Sequence, residues 1–122
     1  VTDALQMAWF RRRPEPGLIF HSDRGSQYCS QGFQQTLSEY GMQSSMSRKG
    51  NCWDNAPTES LWGSLKVGRL HGMRFETRRH AMDEVIDWLM FYNHRRLHST
   101  LGYISPMQFE QNWSAAQLKD AA

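Results

Sequence analysis

Two acidic residues stand in company that suits metal-assisted chemistry. Asp23 lies in His21-Ser22-Asp23-Arg24-Gly25-Ser26-Gln27-Tyr28 and Glu59 in Asp54-Asn55-Ala56-Pro57-Thr58-Glu59-Ser60, with 35 residues between them. Two carboxylates that a fold brings together can share a divalent ion such as Mg²⁺ or Mn²⁺, and that is the equipment of phosphoryl transfer on nucleic acid. Such sites normally take a third carboxylate, and the sequence offers no convincing one. Each acid also has a plainer explanation: a loop Asp is commonly a solvated charge, and a Glu at a helix start complements the helix dipole.

Other residues near the pair carry weaker chemistry. Asp54 and Asn55 can form a second layer around a metal, although a loop Asp more often bonds its own turn or the helix start. Arg48, Lys49 and Asn51 lie in a polar loop that can follow a DNA backbone, as basic pairs on many surfaces can. Trp53 can cover that loop or stack on an unpaired base, with core packing the favoured reading. His94 and His98 have the one-turn spacing of a zinc pair but no third ligand nearby, so a helix end facing DNA or packing on the core is favoured. Cys29 and Cys52 are too few and too far apart for a zinc knuckle or a disulfide scaffold, and read as reduced and incidental.

The elements that must carry these residues follow from periodicity. Thr2 can cap a first helix with Leu5, Ala8 and Trp9 at helical spacing, ending near Arg11-Arg12-Arg13 before Pro14. Leu18-Ile19-Phe20 reads as a strand buried on both faces that delivers Asp23 at its carboxyl end. Ser30 caps a second helix carrying Phe33, Leu37 and Tyr40, Gly41 stops it, and Met42 to Ser47 reads as a second strand. A strand, a helix and a strand make a βαβ unit, which implies a parallel pair. Pro57 fits the first position of a helix with Glu59 in its first turn, Leu61, Trp62 and Leu65 on one face, and Glu59, Gly63 and Lys66 on the other. A long helix then runs from about Arg78 to His98, with Ala81, Val85, Trp88, Leu89 and Tyr92 inward and Asp83, Glu84 and Asp87 solvated. A short helix around Met107 to Trp113 is expected near the end. Open α/β sheets place ligands at the carboxyl ends of parallel strands, which suits Asp23.

Composition sets the outer limits. At 122 residues and 39% hydrophobic content the chain is one globular domain at most, and the mixed charges exclude a disordered polyelectrolyte. A net charge of +2 permits nucleic-acid binding without demonstrating it. Neither a membrane span nor a secretory leader is indicated, so the expected location is the cytoplasm.

Read together, the blocks around Asp23 and Glu59, with Ser45-Met46-Ser47-Arg48-Lys49-Gly50-Asn51, Tyr92-Asn93-His94-Arg95-Arg96-Leu97-His98-Ser99 and Leu101-Gly102-Tyr103-Ile104-Ser105-Pro106, resemble the carboxyl-terminal half of insertion-sequence transposases whose catalytic domain is similar to retroviral integrase. The resemblance runs from the first helix to about Trp113. It implies a ribonuclease-H-like α/β fold, present here as its carboxyl-terminal portion (helix, strand, helix, strand, then helices) without the first three antiparallel strands. Residues 1–113 would be a partial catalytic core and 114–122 a tail. It further implies metal-dependent DNA cleavage and strand transfer by an Asp, Asp, Glu triad holding two Mg²⁺ or Mn²⁺ ions. Asp23 takes the place of the second Asp and Glu59 that of the Glu, and Lys66 that of a lysine on DNA phosphate. Asp3 does not stand in for the first Asp, since it lies twenty positions before Asp23 inside a helical pattern. The 122 residues alone are therefore expected to be inactive, the alternative role being a DNA-binding or transposase-interacting module. The implied partners are transposon-end and target DNA. A second copy is also implied, joined along an uncovered Leu18 to Ser22 edge or by domain swapping.

Overall fold

The protein is described by a computed structural model covering residues 1–48 and 53–121. The expectations on Lys49, Asn51 and Cys52 lie outside these described residues. The chain divides into two compact units, Val1–Ser60 and Leu61–Ala122.

The first unit is built on a parallel strand pair. Helix α1 (Thr2–Arg12) begins with Asp3 in its first turn and ends at Arg13, whose backbone turns left-handed ahead of Pro14. Strand β1 (Ile19–Ser22) pairs with β2 (Gln43–Met46) in parallel, Ile19 opposite Gln43 and Ser22 opposite Met46. Between them run the single turn α2 (Ser26–Cys29) and α3 (Gln31–Glu39). Ser30 caps α3 as expected, its hydroxyl accepting from the Phe33 N–H. Gly41 leads out at φ 67°, where a Cβ would also lie 3.2 Å from Pro16 Cβ, so both backbone and space call for glycine. The spacing of Phe33 and Leu37 points both at Leu5, and these three form the core, with Phe20, Tyr28, Tyr40 and Met42 packed around them. Phe20 and Tyr28 meet Phe33 at ring separations of 5.3 and 5.5 Å, while Trp9 stacks on Tyr40 at 4.4 Å.

The β1 sequence is less covered than its apolar run suggests. Leu18 is 49% and Ile19 63% exposed, so the run is not buried on both faces, and the described sheet has two strands.

Helix α4 (Ala56–Leu65) begins one residue before Pro57 and spans the division between the units. Of its expected apolar face only Leu65 is buried, Trp62 remaining 43% exposed. In the second unit a five-residue π-turn, Lys66–Leu70, follows. Helix α5 (Arg78–His94) is capped by the Thr77 hydroxyl and ends four residues before His98, the Arg95 and Arg96 N–H groups both donating to Phe91 O at its end. Its inward stripe is the expected one, centred on buried Trp88. Glu84 and Asp87 are not simply solvated: Arg69 grips both, at 2.7 Å to Glu84. His98 and Ile104 then form an antiparallel bridge around a turn with Gly102 at φ 75°, and buried Ser105 caps α6 (Pro106–Asp120) with Pro106 at its first position. That helix continues well beyond the expected Trp113, because nothing after it breaks the pattern before Asp120. Among the described residues no helix is long and apolar enough to cross a membrane.

Candidate active site

Asp23 follows the last residue of β1, at the carboxyl end of the parallel pair. A side chain leaving a strand there would normally swing freely, but one oxygen, Oδ1, accepts the Gly25 N–H at 2.8 Å. This is the turn that Asp-x-Gly sequences favour. The backbone angle at Gly25 does not call for glycine, but a Cβ there would sit 2.9 Å from Asp23 Oδ1, so the carboxylate keeps this position only beside a glycine. The other oxygen has no hydrogen-bond partner among the described residues, and the residue is exposed.

Glu59 occupies the first turn of α4, where negative charge opposes the exposed backbone N–H groups favourably. It too is exposed, and no hydrogen bond or ion pair engages it among the described residues.

The segments bearing the two acids are tied through Ser47, just past β2. Its N–H donates to Ser22 O at 3.0 Å, extending the ladder by one step. Its carbonyl accepts Arg24 Nε at 2.9 Å, and its hydroxyl accepts Asn55 Nδ2 at 3.2 Å. Ser22 and Arg24 flank Asp23, and Asn55 immediately precedes α4. At the same strand ends His21 Nδ1 lies 3.0 Å from Ser45 Oγ, joining two residues opposite each other in register.

The remaining candidates are distributed as follows. Asp54 accepts the Arg48 N–H at 3.4 Å, a partner six positions back that belongs neither to its own turn nor to the helix start. Arg48 is exposed, and so is Lys66 at the start of the π-turn. Trp53, in the short 3₁₀ turn Trp53–Asn55, is 82% exposed, which overturns the core-packing expectation. His94 and His98 do not share a helix turn, because α5 stops at His94. His98 instead receives the Arg96 guanidinium at 2.9 and 3.0 Å from its two ring nitrogens and stands edge-on to Tyr92. Partial burial, and then the positive charge of Arg96, hold its pKa below the ordinary imidazole value.

Carboxylate oxygens are the donors that Mg²⁺ and Mn²⁺ prefer, so Asp23 and Glu59 fit such an ion chemically. Among the described residues no group of three or more His, Cys, Asp or Glu is gathered to hold one. The positions not singled out by sequence reasoning are Gly25 and Ser47. Asp-x-Gly was a legible signal for the first. Nothing local marks Ser47, whose partners lie 25, 23 and 8 positions away.

Two family models, both described as integrase core domain, match residues 1–52 and 40–106. The chain is 49% identical over 111 residues to an insertion element IS600 uncharacterized 31 kDa protein of Shigella sonnei, covering 90% of this chain and 41% of that protein. It is 46% identical over 112 residues to the transposase for insertion sequence element IS904 of Lactococcus lactis, covering 91% and 44%. Against transposase InsF for insertion sequence IS3A of Escherichia coli it is 46% identical over 109 residues, covering 88% and 38%. The chain thus spans about two fifths of the length of these curated relatives. With five sequence blocks in order, a parallel strand pair leading into Asp23, similarity to insertion-sequence transposases, and a family match over more than half its length, this chain belongs to the integrase core domain family.

Proposed function

We propose that these 122 residues supply the second Asp and the Glu of a transposase catalytic centre, Asp23 and Glu59, for DNA cleavage and strand transfer during transposition. Integrase core domains are ribonuclease-H-like and generally depend on divalent metal. The single observation that carries the reading is the Ser47 connection, which bonds both neighbours of Asp23 and the residue ahead of the Glu59 helix. A divalent ion, when bound, would lower the cost of the negative charge developing on the scissile phosphodiester. The chain's own part is to hold and orient. The Gly25 N–H holds one oxygen of Asp23, and the first turn of α4 presents an exposed Glu59 with no cation paired to it among the described residues. Arg48, Lys49, Asn51 and Lys66 are proposed to meet DNA phosphates, with Asp54 and Asn55 supporting the carboxylates from behind. The exposed Leu18 and Ile19 edge is proposed to take a further strand, from a second copy or by domain swapping.

The test is cleavage of labelled transposon-end DNA with Mg²⁺ or Mn²⁺. A transposase carrying this segment should lose cleavage with Asp23→Asn or Glu59→Gln while still binding DNA, and retained cleavage in either variant would refute the assignment. A binding-only role for the 122 residues by themselves is favoured by one observation, the want of a third clustered ligand among the described residues. Alone they should shift DNA in a salt-dependent way without cutting it. Metal-dependent cutting abolished by Glu59→Gln would overturn that.

A further inference from the structure

Ser47 is 4% exposed, and its backbone and hydroxyl bond two segments, Ser22 and Arg24 around Asp23 on one side and Asn55 on the other. A buried serine whose N–H, carbonyl and hydroxyl all have partners is a joint, because removing any one bond leaves the others in place. The backbone bonds to Ser22 and Arg24 hold the Asp23 side. Among the described residues the Glu59 side is held by the hydroxyl, through Asn55, which lies one helical turn before Glu59, and by the longer, exposed bond from the Arg48 N–H to Asp54 at 3.4 Å.

We propose that Ser47 and Asn55 are positioning residues, the Ser47 hydroxyl to Asn55 amide bond setting the Glu59 helix start against the Asp23 strand end. This rests on the reading of Asp23 and Glu59 as a metal-binding pair. Side chains that support metal ligands without touching the ion commonly change affinity by about 10–100-fold when removed. A bond acting through one helical turn belongs at the low end. The bond also predicts a particular pattern: since Ser47 and Asn55 act through one shared contact, losing both should cost no more than losing either.

The experiment is a Mn²⁺ titration of the full 122-residue chain followed by electron paramagnetic resonance, with no DNA and no turnover. Ser47→Ala and Asn55→Ala should each weaken Mn²⁺ binding about tenfold, with far-ultraviolet circular dichroism unchanged. The double variant should match the singles, and Ser47→Thr, which keeps the hydroxyl, should bind as the parent does. Parental affinity in both alanine variants, or a double loss equal to the product of the singles, would overturn the proposal. If Ser47→Ala does not fold, Asn55→Ala carries the test, since Asn55 is only half-buried. Asp23→Asn and Glu59→Gln serve as controls: if neither changes Mn²⁺ binding, the metal-pair reading fails, and the positioning role falls with it. If they weaken binding while Ser47→Ala and Asn55→Ala do not, the positioning role alone fails.

Discussion

The two units solve the problem of holding helices together in opposite ways. In Val1–Ser60, Phe33 and Leu37 are 1% and 2% exposed, and four more apolar or aromatic side chains pack on them and Leu5. In Leu61–Ala122 the buried hydrophobic side chains among the described residues are Leu65 and Trp88, while Met82, Ile86 and Met90 on α5 and Phe109, Trp113 and Leu118 on α6 remain open to solvent. What the second unit lacks in core it replaces with polar contacts, the Thr77 and Ser105 caps and the Arg69 grip on Glu84 and Asp87. Surface ion pairs and caps contribute on the order of 1 kcal/mol each, whereas a buried aromatic contributes several times that. Both candidate carboxylates lie in the first unit, Asp23 just past the strand pair that this core supports and Glu59 on α4, whose buried residue, Leu65, lies beyond the unit.

The sharpest way to break this contrast is Phe33→Ala. Losing a 1%-exposed ring in contact with Phe20 and Tyr28 should cost about 3–5 kcal/mol. Amide hydrogen exchange should then accelerate across 19–46 and leave 78–94 and 106–120 nearly unchanged. Equal acceleration in both stretches would mean that the chain unfolds as one body and that the contrast in packing has no energetic counterpart.

The counterpart in the second unit is Ser105→Ala, which removes the bond from the Gln108 N–H to the Ser105 hydroxyl at 3.2 Å. The expected cost is about 1 kcal/mol, with faster exchange confined to the first turns of α6. If protection were lost throughout α5 as well, the second unit would be as cooperative as the first, despite its thinner core.

The difference between the units also explains what could be read from sequence. Elements of the first unit are specified by neighbours in the chain: Ser30 ahead of Phe33 and Leu37, Gly41 behind them, and the apolar Leu18-Ile19-Phe20 run at the strand. Asp23 and Glu59 were legible because each sits at a chain-local boundary, a strand end and a helix start. Exposure was not legible. An apolar run looks the same whether or not a third strand covers it, which is why Leu18 and Ile19 read as buried. Helix length failed where the stop signal was weak, so α5 ended at His94 while α6 ran to Asp120. Ser47 was invisible for a different reason, since a serine's role as a joint depends on partners that only the fold brings to it.

The smallest expected change in stability is also the one that separates fold from site within the first unit. Gly25 has φ −55° and ψ 140°, angles open to alanine, so Gly25→Ala meets no backbone strain. Its Cβ would lie 2.9 Å from Asp23 Oδ1 and 3.4 Å from Tyr28 Cδ2. The carboxylate is the freer of the two neighbours, because Tyr28 packs against the Phe33 core. Asp23 should therefore rotate away and release the Gly25 N–H, while stability stays within about 0.5 kcal/mol of the parent. Nuclear magnetic resonance can follow both halves of that statement: the Asp23 carboxyl carbon and the residue-25 amide should shift, and the Phe33 and Leu37 signals should not. A carboxyl that stayed in place while the core signals moved would mean that Asp23 is held more firmly than Phe33. Packing would then not be what orders the site.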